Sequence, residues 1–139
     1  MRFLLDTVVL SELRKAERCA ASVAAWYCSV PESEIFLSVI VLGEIRAGIE
    51  ALCPRDPVTA GHLTVWLGSI RHDHARRILP ITDQIADRWG RISPLQRLGT
   101  ADGLIAATAL RHGLTVATRN VQDFDRSGAT IFNPWEYAA

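Results

Sequence analysis

The sequence predicts an α/β fold of three layers, α/β/α, with a parallel sheet at its centre. Short apolar runs without polar alternation recur along the chain, which suits strands buried on both faces. Longer amphipathic stretches separate them. Strands alternating with helices imply right-handed crossovers that cover both faces of a parallel sheet. The scale is that of one domain over residues 1–139, with 49% hydrophobic side chains for a core. A chain of this length buries roughly 68% of its unfolded surface and needs no disulfide or structural metal to fold.

Taken in order, Phe3-Leu4-Leu5 is the first strand, and it stops abruptly at Asp6. Val9 to Arg14 and Ala20 to Cys28 read as helices. Ile35 to Ser38 is the second strand. Val39 to Ala51 follows as a helix, with Ile40, Leu42, Ile45 and Ile49 near helical spacing. Val58 to His74 sets Leu63, Trp66, Leu67 and Ile70 on one stripe. Ile78-Leu79-Pro80-Ile81 is a weaker third strand. Thr82-Asp83 offers a helix start, with Ile85, Trp89 and Ile92 on one face. That face is either a dimer contact or part of the core. Ala101 to Arg111 reads as a helix with Thr100 as its N-cap and Gly113 at its end. Leu114 to Thr118 and Ala129 to Phe132 are the last strands, and Asp123 falls in the loop between them.

Lys+Arg and Asp+Glu number 15 each, a balance that argues against non-specific coating of nucleic acid. It leaves room for an enzyme with an acidic pocket and a local basic rim. Cys19, Cys28 and Cys53 form no CxxC and read as small buried hydrophobes in a reducing cytosol. The four histidines show no zinc spacing, and His72-Asp73-His74 reads as a solvated helix end. Asp6 comes too early for a signal-peptide core. No apolar run approaches the roughly 20 residues that span a bilayer. The expectation is a soluble, cytoplasmic protein with no membrane partner.

In an open parallel sheet, ligands bind outside the carboxyl ends of the strands. Asp6 projects from such an end. Asp102 lies in the first turn of its helix, where the helix dipole alone would favour an acid. Gly103 beside it costs about 1 kcal/mol relative to alanine, which hints at a close approach. Glu44 sits mid-helix between apolar neighbours and does not read as an ordinary solvated charge. Two carboxylates about 5 Å apart repel by roughly 3 kcal/mol at an effective dielectric of about 20. A hard divalent cation relieves this, and Mg²⁺ or Mn²⁺ suits an all-carboxylate site. Such ions activate water for displacement at phosphorus. The chemistry that follows is a metal-dependent nuclease built on Asp6, Glu44, Asp102 and Asp123.

At these residues the chain resembles the PIN-domain family, and within it the VapC-type toxins of toxin–antitoxin pairs, including the FitB-like branch. The resemblance is carried by Leu4-Leu5-Asp6-Thr7, by Ser38-Val39-Ile40 with Glu44-Ile45 and Gly48, and by Ala101-Asp102-Gly103 through Ala109. Thr118-Arg119-Asn120, Asp123-Phe124 and the closing Phe132-Asn133-Pro134-Trp135 complete it, in family order over essentially the whole chain. It implies a PIN-like three-layer fold, Mg²⁺-dependent endoribonuclease activity, a homodimer and inhibition by a small VapB-type antitoxin. The implied substrate is RNA, with tRNA a candidate, and DNA is met only through the antitoxin.

On this reading Asp6 and Asp102 are the principal metal ligands. Glu44 is a further ligand or positions the attacking water, and Asp123 completes the pocket. Thr7 and Thr118 either orient carboxylates or phosphate, or are simply buried strand-end threonines. Arg119 either meets RNA phosphate or is a plain surface arginine. The chain departs from the family at Val8, where asparagine is usual, and at Asn120, where some FitB-like members carry aspartate. Val8→Asn is expected to leave cleavage equal or higher. The rival classes are a weakly active PIN module serving a DNA-binding complex, a nuclease of structured DNA, and a non-nuclease α/β protein.

Overall fold

β1 (Phe3–Leu5) is the axis of the molecule. Leu4 and Leu5 are wholly buried, as the unbroken apolar run requires. The computed structural model describes residues 1–96 and 98–138. Among them β1 is flanked by β2 (Ile35–Ser38) and β4 (Thr115–Ala117). Beyond these lie β3 (Ile78–Leu79) and β5 (Thr130–Phe132), giving the order β3-β2-β1-β4-β5 with every pairing parallel. Leu4 is level with both Phe36 and Val116, and Leu5 with Ala117. The chain runs outward from β1 through β2 to β3, then returns to β4. The strand order therefore switches between β1 and β4, and the crevice at their carboxyl ends is where such sheets bind ligands.

The helices are α1 (Thr7–Leu13), α2 (Ala21–Ser29), α3 (Val39–Leu52), α4 (Pro57–Asp73), α5 (Asp83–Gln96), α6 (Thr100–His112) and the short α7 (Val121–Phe124). Their starts are chemically explicit. Ser38 ends β2 and caps α3, its Oγ accepting from the Ile40 N–H at 3.1 Å. Asp56 accepts from the Thr59 N–H ahead of Pro57 in α4. Thr82 Oγ1 accepts from the Ile85 N–H, as expected of a helix start there. α3 buries Val41, Leu42, Ile45 and Ile49. α6 buries Ile105, Ala106, Ala107, Thr108 and Ala109, small side chains that let it lie close. It ends at Gly113 with φ +66°, a left-handed conformation that glycine adopts without Cβ strain.

Several expectations change. Gly99, not Thr100, is the N-cap of α6, and Thr100 is already helical. Asp123 lies in α7 rather than in a loop, because Asn120 to Phe124 close a single helical turn. Cys28 and Cys53 are exposed and Cys19 is half-buried, since the first two sit at helix ends. His74 is buried with Nδ1 against the Ile70 carbonyl at 3.0 Å, while His72 and Asp73 are solvated as expected. The Ile85–Trp89–Ile92 stripe turns inward: Ile85 is fully buried and the other two are half-buried. No helix among the described residues is long and apolar enough to cross a membrane.

Candidate active site

Asp6 stands one residue beyond β1, with its backbone N–H extending the ladder to the Ala117 carbonyl at 3.0 Å. Its side chain is only 4% exposed. Both oxygens are engaged. Oδ1 accepts from the Thr7 N–H at 2.8 Å and so caps α1, and Oδ2 accepts from Thr118 Oγ1–H at 2.8 Å. Thr118 lies at the end of β4, and its hydroxyl in turn accepts from the Asn120 N–H at 3.0 Å. A strand-end acid is thus gripped by the neighbouring strand and by the helix it starts. Thr118 satisfies both readings of its sequence position, being fully buried and orienting a carboxylate.

Glu44 comes from α3, is exposed, and accepts from Thr7 Oγ1–H at 2.7 Å. Its apolar neighbours argued against an ordinary solvated charge, with a helix-edge glutamate as the alternative. The structure instead turns Val41 and Ile45 inward and leaves Glu44 on the rim, one hydrogen bond from the Asp6–Thr7 corner. Asp102 sits half-buried in the first turn of α6 beside buried Gly103. Asp123 stands exposed on α7. Thr7 therefore links two acids directly, through its N–H to Asp6 and its hydroxyl to Glu44. Asn120 contributes through its backbone.

Electrostatics join all four acids. Burial is the main force pushing the Asp6 carboxyl above its ordinary value. The bonds from Thr118 and Thr7 pull it back, and the charges of Glu44 and Asp123 push it up again. Asp102 is raised to about 6, first by burial and then by the charges of Asp6, Asp123 and Glu44. Sites where desolvation and like charges converge in a cleft are where ligands of opposite charge bind. The donors are all oxygen, the preference of Mg²⁺ and Mn²⁺. Among the described residues, no three His, Cys, Asp or Glu side chains close into a ready-made metal cage.

The shift at Asp102 makes a prediction for the protein in chelator. Its folded value of about 6 lies above the ordinary 3.8, so the folded state holds the proton more tightly. That contribution to stability is complete below about pH 4 and is lost as pH rises through 6. Wild type and Asp102→Asn should melt together near pH 4 and separate above pH 6, with the variant higher. The gap is expected to be roughly 4 °C, because solvent leaves about 1 kcal/mol of the combined cost of burial and like charge in a half-exposed site. Equal melting temperatures at about pH 7.5 would count against a raised Asp102 carboxyl.

Around the acids lie features that the spacing of the sequence did not announce. Arg14 stacks over Trp66, 5.8 Å from the ring centre, beside a cleft between α1, α3 and α4 that includes Glu44. Arg119 is exposed and stacks over Trp135 at 5.0 Å. Glu12 is nearly buried, accepting from Lys15 Nζ at 2.9 Å and from the Ala20 N–H at 2.8 Å. The Arg–Trp pairs join segments far apart in the chain.

Comparison with known proteins gives a consistent result. The model of the family described as PIN domain matches residues 3–128. A VapC ribonuclease of Sinorhizobium fredii is 37% identical over 142 residues, covering 97% of this chain and 99% of the relative. Toxin FitB of Neisseria gonorrhoeae is 35% identical over 137 residues, covering 95% and 97%. Among solved structures, FitAB bound to a DNA fragment superposes with a TM-score of 0.87 at 33% identity, covering 99% of this chain and 98% of the other.

Proposed function

The chain belongs to the PIN-domain family, and on that premise we propose that it is a Mg²⁺-dependent endoribonuclease, the toxin of a VapBC-type pair. The observation that carries this reading is the corner at the carboxyl end of β1 where Thr7 joins Asp6 to Glu44, with Asp102 and Asp123 near enough for their charges to act on it. Asp6 and Asp102 hold the ion, directly or through water, and Mn²⁺ substitutes for Mg²⁺. When bound, the ion makes water acidic enough to act as a nucleophile and offsets charge at phosphorus. Thr118 and Thr7 lock the Asp6 carboxylate in one orientation. Glu44, held by Thr7 on the solvent side, positions the attacking water or adds a ligand. Asp123 closes the pocket from α7.

The working assembly in this reading is a cytoplasmic homodimer neutralised by a small VapB-type antitoxin, through which it meets DNA. Its support is the similarity to FitAB, whose solved structure is bound to DNA. A guanidinium from the antitoxin would suit this pocket, because it pairs with carboxylates where the ion otherwise does. A monomer at micromolar concentration in sedimentation would remove the homodimer for the free toxin.

The direct test is incubation of antitoxin-free protein with a mixed pool of tRNA and single-stranded RNA, in Mg²⁺, in Mn²⁺ and in EDTA. Single-stranded and structured DNA are run alongside. Cleavage of RNA that requires metal is the expected result. Cleavage of DNA alone would reassign the substrate. No cleavage by folded protein would favour a module acting only in a DNA-bound complex, a reading to which apolar Val8 and neutral Asn120 lend some support.

A further inference from the structure

Val8 is unexplained by the acid cluster. It is half-buried and packs against the core, with no hydrogen-bonding atom to offer the carboxylates. It lines a separate cleft of about 310 Å³ between α1 and the C-terminal turn Pro134–Glu136. The opposite wall is Arg119 stacked on Trp135. Thr7 and Asn120, which belong to the acid site through Asp6, Glu44 and Thr118, also line this cleft. It therefore opens directly beside the reacting centre.

We propose that this cleft receives one base of a single-stranded RNA substrate, next to the phosphate held at the acid site. The proposal rests on the endoribonuclease reading and adds the residues that select the substrate. A single-stranded base is recognised by stacking on an aromatic ring or a guanidinium plane, and this cleft supplies both in one pair. Val8 gives a smooth apolar wall in place of a polar side chain. Lys15 is paired with Glu12, so Arg119 supplies the net positive charge of the lining. The one acid of the lining, Glu12, is already met by Lys15 Nζ and by the Ala20 N–H, which leaves little repulsion toward a phosphate. A peptide would gain from the apolar walls, but it would not need a cationic stack adjoining a phosphate-processing centre.

The test measures binding rather than cleavage. Asp102→Asn protein in Mg²⁺ is titrated with fluorescent RNA octamers of each base, and with the same ribose-phosphate backbone lacking bases. The background variant is expected to bind the best base-bearing octamer about tenfold more tightly than the abasic one. Trp135→Leu keeps an apolar side chain in the half-buried position but removes the ring, and should reduce that ratio to under about twofold. Arg119→Ala removes an exposed side chain and should reduce it in the same direction, so the test survives if Trp135→Leu folds poorly. Val8→Asn should change which base is preferred. An undiminished ratio in both Trp135→Leu and Arg119→Ala would overturn the base site. So would a background variant that binds the two kinds of octamer equally, and metal-dependent RNA cleavage by wild type would then leave the nuclease reading standing. Cleft variants that bind every RNA normally but lose an antitoxin peptide would assign the cleft to protein and also overturn the proposal. Selective binding of base-bearing RNA by a wild type that never cleaves would sink the nuclease reading alone.

Discussion

Asparagine in place of Asp6 or Asp102 is expected to lower metal-dependent RNA cleavage by about 10³-fold, a loss of roughly 4 kcal/mol of transition-state stabilisation. The two replacements are close in shape and remove one negative charge each. Among the described residues nothing hydrogen-bonds to the Asp102 carboxylate, so the fold has little to lose. At Asp6 an amide oxygen still accepts from the Thr7 N–H, and the Thr118 hydroxyl has to rotate to accept from the new NH₂ group. Asp6→Asn should therefore cost some stability where Asp102→Asn costs none. Cleavage rates with and without Mg²⁺, beside circular dichroism of each variant, provide the check. Wild-type rates in either variant would remove that residue from the centre.

The second large effect is structural. Trp26→Ala is expected to destabilise the protein by about 3–5 kcal/mol, a large share of the roughly 5–15 kcal/mol that holds a domain folded. Trp26 lies on α2, is 2% exposed, and meets Phe3 edge-on at 5.0 Å and Phe132 at 5.6 Å. Those two rings stand on β1 and β5, and also lie 5.8 Å from each other. One indole thus braces the strand that presents Asp6 and the strand that leads to Trp135. The midpoint of chemical denaturation gives the measure. A loss under about 1 kcal/mol would mean that the aromatic cluster repacks around the gap.

Much of this was legible in the chain. Phe3-Leu4-Leu5 ending at an acid announced both the central strand and the residue at its tip, because a strand buried on both faces tolerates no charge until it leaves the sheet. Asp102 was legible from its place in a first helical turn beside a glycine. Helix starts with a short polar side chain, such as Thr82, were legible because their capping chemistry is local. β3 was faint because only Ile78 and Leu79 pair before Pro80 intervenes. The exposure of Glu44 was not legible, because apolar neighbours in sequence face a different side of a helix from the residue between them. What the sequence could not supply were contacts between distant segments: the strand order, the bond from Thr118 to Asp6, and the cleft shared by Val8 and Trp135.

The bond between Thr118 and Asp6 spans 112 residues, and that separation sets the order in which the acid site can assemble. During synthesis β1 emerges well before the side chain that orients Asp6. Asp102 reaches the ribosome's exit barely earlier. A fragment released during synthesis carries the acid of β1 without the strand that holds it in place. The ordered acid corner therefore forms only once β4 has emerged and paired with β1.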